Sequence, residues 1–242
     1  MKEGKTRRRA ASRVAIVGGV LITAAAIALY TPWLGLFGLR EIAVTGNRRA
    51  SAEAIARAAD LRYGTSLLAI RRGSVSSNVA SLPWIRDVTV RRDLPHRLTI
   101  QVREREAVAW IPSQDDVPCL TLAEGGVVVA QGCEESGDLL DLRGANVSSS
   151  APGAMLVDPR VGDLVDAVHA LAIPDTHFHR IDVSDPSSVV LDAESGLRVL
   201  LGAIELHARR IEQLVALSHR VDLDAYRQID LRLEGEATLV TW

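Results

Sequence analysis

The sequence predicts an α+β protein held to a membrane by one N-terminal helix. A small unit of two helices on a three-stranded mixed sheet follows, and then a larger β domain with two helices. Three observations predict this. No charge occurs from Val14 to Leu39. Residues 41 to 102 pass from a short apolar strand through two helical spacings to strict two-residue alternation. From Ala107 onward, short apolar runs recur between turn residues, with two helical stretches among them. The boundaries read as a basic tail at 1–13, a spanning helix at 14–36, the small unit at 39–106 and the β domain at 107–242.

The first element is set by length and polarity. A helix rises about 1.5 Å per residue, so about 20 residues cross a hydrocarbon core roughly 30 Å thick. Residues 14 to 36 suffice, and Tyr30 and Trp33 fall where amphipathic rings meet headgroups, with Pro32 at the helix end. The run is longer than the roughly 7–15 residues of a signal-peptide core, and the only small-residue cleavage pattern, Ala24-Ala25-Ala26, lies inside it. Residues 1 to 13 hold six basic side chains against Glu3, a net of +5. Positive flanks stay in the cytoplasm, which leaves residues 40 to 242 outside. The tail has little to bury and reads as disordered, suited to anionic lipid heads.

With +5 removed from the formal −2, residues 14 to 242 carry −7. A nucleic-acid surface needs clustered positive charge, so nucleic acid is not expected as a partner. Nine aromatic residues in 242 leave the core to Val, Leu, Ile and Ala.

In the small unit, residues 41 to 44 form a strand and Thr45-Gly46-Asn47 a turn. Ser51 caps a helix carrying Ile55, Ala58 and Ala59 on one side. Val75, Val79 and Leu82 share one face of a second helix, which Pro83 stops. Ile85, Val88 and Val90 lead into a link over residues 91 to 96. Leu98, Ile100 and Val102 then return against Thr99, Gln101 and Arg103. Arg91, Arg92, Arg103 and Arg105, with Glu104 and Glu106, read as cross-strand ion pairs on a wet face. Two helices on one face of a small mixed sheet satisfy both apolar faces.

This order, with Val44-Thr45-Gly46-Asn47, Leu82-Pro83-Trp84-Ile85, Val88-Thr89-Val90-Arg91-Arg92, Leu94-Pro95, Leu98 and Val102-Arg103-Glu104-Arg105, resembles a POTRA domain of the FtsQ/DivIB bacterial cell-division family. The match continues through Ala107-Val108-Ala109-Trp110, and its place directly after one spanning helix adds to it.

In the β domain, strands are expected at 107–111, 118–122, 127–130, 139–142, 178–183, 188–191, 197–201, 228–233 and 237–242. Asp158-Pro159 opens a helix bearing Val161, Leu164, Val165, Val168 and Leu171; Ile204, Ile211, Leu214 and Val215 mark another. Residues 196 to 202, the helix through Leu214 and Ile229-Asp230-Leu231-Arg232 also resemble the family. The family's helix usually holds a lysine ahead of its leucines, and Arg209 or Arg210 keeps that charge here.

The functional expectation falls on the last strand. It ends the chain, so it suits a sheet edge, and an edge accepts an incoming strand. The resemblance implies that this strand and the Asp-Leu-Arg strand before it receive the membrane-proximal segments of FtsB/DivIC-like and FtsL-like single-pass proteins. The contact falls on Arg232, Leu233, Leu239 and Trp242. Other division proteins would meet the membrane and POTRA regions. The implied protein is a non-enzymatic scaffold at the septal part of the cell membrane, recruiting and linking other division proteins. The alternatives are a POTRA-type chaperone or export component binding client strands and, more remotely, an anchored envelope hydrolase.

Neither a nucleophile elbow, a zinc helix, a phosphate loop nor a dinucleotide turn occurs, and the family resemblance, taken with that, implies no enzyme, cofactor or metal. His177 and His179 lack a third ligand fixed by sequence and read as surface histidines, and Asp115-Asp116 as solvated. Cys119 and Cys133 flank an expected hairpin on the oxidising side. They are a possible disulfide or two separate thiols.

Overall fold

The computed structural model describes residues 36–114, 117–132, 139–173, 176–233 and 235–242. The spanning helix expected at 14–36, except its last residue, and the basic tail lie outside these, as do Asp115, Asp116 and Cys133. Among the described residues, no helix is long and apolar enough to cross a membrane. The chain divides into two compact units: the described part of the first takes in 36–80 and 87–103, and the second 81–86 and 104–242.

In the first unit, strand β1 (Glu41–Thr45) precedes helices α1 (Ala52–Ala58) and α2 (Arg72–Ala80), and strands β2 (Ile85–Asp93) and β3 (Arg97–Glu104) follow. The sheet order is β1-β3-β2, with β1 parallel to β3 and Glu41 opposite Arg97. The two-residue period does the sorting: Leu98, Ile100 and Val102 are buried, while Arg97, Gln101 and Arg103 are exposed. Ile55 of α1 and Val75 and Val79 of α2 are buried too. Ser51 caps α1, its Oγ accepting from the Ala54 N–H at 3.1 Å.

Two boundaries differ from expectation. Helix α2 ends at Ala80, so Leu82 leaves the helical face and is half-buried, because a residue ahead of proline avoids the helical region. Strand β2 runs on to Asp93 through residues expected in the link. The wet-face pairs also re-sort. Arg103 meets Asp87 at 3.1 Å, and Arg97 meets Glu41 at 2.9 Å. All four side chains are exposed, so each pair contributes under about 1 kcal/mol.

The second unit holds β4 (Ala107–Ile111), β5 (Leu120–Ala123), β6 (Val127–Gln131), β7 (Leu140–Arg143), helix α3 (Pro159–His169), β8 (Phe178–Asp182), β9 (Val189–Ala193), β10 (Arg198–Gly202), helix α4 (His207–Ser218), β11 (Tyr226–Asp230) and β12 (Thr238–Thr241). They form one nine-stranded sheet in the order β12-β11-β10-β9-β8-β7-β4-β5-β6. Strand β7 sits between β4 and β8, parallel to both, and β10 and β11 are parallel across α4.

One face of the sheet carries the core. Leu142, Ile181, Leu191, Val199 and Ile229 pack with Val161, Leu164 and Val165 of α3 and Ile211 and Leu214 of α4. Asp158 caps α3, accepting from the Arg160 N–H at 3.0 Å, with Pro159 at the first turn where its missing N–H costs nothing. The opposite face carries a row of alternating charge. Asp141, Arg180, Asp192 and Arg198 stand opposite one another on successive strands β7 to β10. Arg180 Nε lies 2.9 Å from Asp141, and Arg198 Nε lies 2.8 Å from Asp192. The register then continues through Gln228 to Val240 on β12.

Candidate partner-binding edge

Strand β12 lies at one end of the sheet and pairs antiparallel with β11, Thr241 opposite Tyr226 and Thr238 opposite Asp230. Among the described residues no strand pairs with its other side. Its four residues, Thr238-Leu239-Val240-Thr241, include no charge and no proline, the usual devices that protect an edge. Alternation places Leu239 toward the core, where it is partly buried, and sends Val240 to the other face.

The four expected contact residues do not form one cluster. Arg232 and Leu233 lie just beyond β11, near the start of β12, and Trp242 lies at the far end of β12. A four-residue strand separates them, about 13 Å of chain. Leu233 is 61% exposed and Trp242 is 70% exposed, whereas Leu239 contributes mainly its backbone to the edge. The site is a line along the edge, with an exposed side chain at each end.

Both ends are built on glycines of β10 and its turn. Gly202 closes β10 with φ +80°, and a Cβ there would stand 3.1 Å from Cγ of Arg232. At the other end Gly196 has φ +89°, and its Cβ would lie 3.0 Å from the Trp242 ring. The Trp242 indole N–H donates to the Asp224 carbonyl at 3.3 Å, which fixes the ring's direction while leaving most of it exposed.

Arg232 is held by Asp230. Its Nε lies 2.9 and 3.0 Å from the two carboxylate oxygens, one guanidinium N–H donates at 2.6 Å, and the Arg232 backbone N–H donates at 3.0 Å. These bonds hold the Asp230 carboxyl below its ordinary range and push the Arg232 guanidinium up.

Arg210 is the residue that sequence reasoning undervalued. It is 2% exposed on α4, and its guanidinium donates to the carbonyls of Leu233 (3.1 Å) and Arg232 (3.0 Å) and to the Gln213 side chain (2.8 Å). It therefore fixes the backbone leaving β11 for β12. The available signal was its position four residues before Leu214, on the apolar stripe of α4.

The other expected residues fall elsewhere. Cys119, ahead of β5, accepts at its carbonyl from the Gly132 N–H at 2.7 Å, so the hairpin brings positions 119 and 132 together. Cys119 is not a free thiol. His177 lies just before β8 and His179 within it. Among the described residues no three metal-binding side chains come together.

A two-helix, three-stranded unit with a parallel β1–β3 pair, followed by a β domain with an edge strand at β12, defines a POTRA-type protein. The FtsQ-type POTRA-domain family model matches residues 37–105. The chain is 25% identical over 194 residues to the cell division protein FtsQ of Corynebacterium glutamicum, covering 79% of this chain and 84% of that one. It is 26% identical to the cell division protein DivIB of Clostridium acetobutylicum, over 62% of this chain and 60% of that one. It is 36% identical to the cell division protein FtsQ of Geobacter sp. (strain M21), over 44% of this chain and 37% of the relative. Residues 37–105 thus match an FtsQ-type POTRA domain, and the chain is similar to cell division proteins named FtsQ and DivIB.

Proposed function

We propose that the protein acts in bacterial cell division as a membrane-anchored, non-enzymatic scaffold at the septum. It recruits and links other membrane proteins through the edge strand β12. The relatives' names support the role in division, and the uncharged, unpaired edge of β12 carries the binding reading. An incoming strand would gain the backbone bonds that β12 leaves open, while Trp242, Arg232 and Leu233 would meet its side chains at the two ends. The partners of this reading are FtsB/DivIC-like and FtsL-like single-pass proteins, with other division proteins at the membrane and POTRA regions. Partners anchored in one membrane meet at raised effective concentration, so modest pairwise affinity suffices. The bridge of this reading joins Cys119 to Cys133 and ties the β5–β6 hairpin. A shift in gel mobility on reduction would accompany it, and unchanged mobility would exclude it.

The test is a titration of the full chain, held in lipid nanodiscs, with membrane-proximal peptides of the cell's own FtsB/DivIC-like and FtsL-like proteins. It is repeated on a chain lacking residues 237 to 242, with circular dichroism to confirm folding. Binding lost in the folded truncation supports the edge. Equal binding by both chains removes it. Tight binding of many unrelated extended peptides would favour the chaperone reading instead.

A further inference from the structure

Among the described residues of the first unit, four large apolar side chains stand exposed: Leu36 (53%), Tyr63 (68%), Leu68 (56%) and Leu94 (55%). All four belong to segments that converge on residues 36 to 41. The Leu67 N–H donates to the Phe37 carbonyl at 2.7 Å, and the Leu39 N–H donates to Thr65 at 2.9 Å. Gly38 bridges Ser66 in antiparallel sense, a count that sets Leu36 opposite Leu68. On the other side, the Arg40 N–H donates to the His96 carbonyl at 2.9 Å, and His96 Nδ1 lies 3.1 Å from the Gly38 carbonyl oxygen. That contact brings the β2–β3 turn, with Leu94, to the same end. Arg92 closes the ring by donating to the Ile70 carbonyl at 2.6 Å.

These side chains are not overflow from an unfilled core. Leu39, Leu67 and Ile70, their neighbours in sequence, are buried and fill it. The apolar excess is confined to one end of the unit, the end where the uncharged run from Val14 arrives. Exposed arginines stand among it: Arg40, Arg62, Arg71, Arg72 and Arg91, against the acids Asp60 and Asp93, while Glu41 is paired with Arg97. Asp93 accepts a bond from the Thr99 hydroxyl at 2.5 Å. Exposed leucines beside arginines, at the point where a spanning segment leaves the bilayer, match the chemistry of the lipid headgroup zone.

We propose that this end of the POTRA unit rests in the headgroup region of the bilayer. Leu36, Leu68 and Leu94 reach the acyl boundary, and Arg71 and Arg72 lie against phosphates of anionic phospholipid. The inference rests on the reading of residues 14 to 36 as a membrane anchor. It adds that the folded unit is held down on the surface and does not swing free on a tether.

The test places a nitroxide, one site at a time, on full-length chains carrying Leu68→Cys, Leu94→Cys, Thr45→Cys or Leu29→Cys. The chains are reconstituted in phosphatidylglycerol–phosphatidylethanolamine vesicles, with the unsubstituted chain as blank. Power saturation compares access to oxygen, which enters the bilayer, with access to a water-soluble nickel chelate. Thr45, at the other end of β1, is the aqueous reference, and Leu29 reports the anchor. The expected result is an oxygen-to-nickel ratio several-fold higher at 68 and 94 than at 45, falling when phosphatidylcholine replaces the anionic lipid. Ratios at 68 and 94 equal to that at 45, with Leu29 deep, would overturn the contact and leave the anchor standing. A nickel-accessible Leu29 would remove the anchor and the proposal with it. Shielding of 68 and 94 from both reagents would show a protein covering the patch and would also overturn the proposal.

Discussion

The two ends of the nine-stranded sheet are finished in opposite ways. At the β6 end the backbone is covered. The Val128 N–H donates to the Ala154 carbonyl at 2.8 Å, the Gly153 N–H to Val128 at 2.7 Å, and the Leu156 N–H to Gly126 at 3.0 Å. Gln131 reaches the Ser150 carbonyl at 2.9 Å. At the β12 end, by contrast, no described strand takes the outer side, and the strand has no charge of its own. An edge left bare by accident would more often carry a lysine, a proline or a bulge in its own strand. The chain spends residues 150 to 156 closing one edge, which shows that it has the means to close an edge.

The contrast is sharpened or broken by variants at each end. The largest effect is expected from Arg210→Met. It leaves the Arg232 and Leu233 carbonyls without their buried donor, at a cost of about 3 kcal/mol in a denaturant melt. Affinity for an edge-binding peptide should fall with it. A variant of unchanged stability would show that Arg210 is not the strut of the open edge. At the closed end, Leu156→Ala removes a buried side chain of the covering segment and should cost about 2 kcal/mol. Hydrogen exchange at the Val128 amide should speed up while that at Ile229 holds. Equal acceleration at both would mean that the two edges are not independent.

A smaller change is expected from Gly202→Ala, where the positive φ and the 3.1 Å approach of Arg232 together cost about 1 kcal/mol in thermal stability. The effect should shrink in an Arg232→Ala background, because the close neighbour is then shorter. If it does not, backbone strain alone accounts for it. The smallest effect belongs to Arg232→Ala. Asp230 is held below its ordinary range in the folded chain. The stabilisation from its pair is therefore complete above the unfolded value of about 3.9 and is lost as pH falls through the lower folded value. Parent and variant should differ at neutral pH and converge in acid, and the Asp230 carboxyl, followed by NMR, should titrate higher in the variant. Salt should narrow the difference, since Arg232 is exposed.

The POTRA unit was nearly all legible because one period governs each of its pieces. Leu98, Ile100 and Val102 could only line one face, and the two helices offered one apolar side each. The edge strand was legible for a different reason: Ala237 to Trp242 is a short apolar run set off by Glu234-Gly235-Glu236. The sheet order was not legible. Nothing in Leu140-Asp141-Leu142-Arg143 says that it lies between β4 and β8, since a parallel neighbour is chosen by packing and not by local pattern. Arg210 was hidden similarly. Its charge suggested the surface, and only its carbonyl partners explain its burial.

Strand β7 has a consequence for how the second unit is assembled. It is four residues long, yet among the described strands it is the one whose backbone pairs the meander β4–β6 with the five strands β8–β12, the other link being α3, which packs against both β4 and β8. The meander is made first in the order of synthesis and pairs with its own neighbours in sequence. The five later strands have no template on it until residues 140 to 143 dock beside β4. The domain should therefore come apart at its middle and not fray inward from either end. Native-state hydrogen exchange would report this as two separate levels of protection, divided at β7.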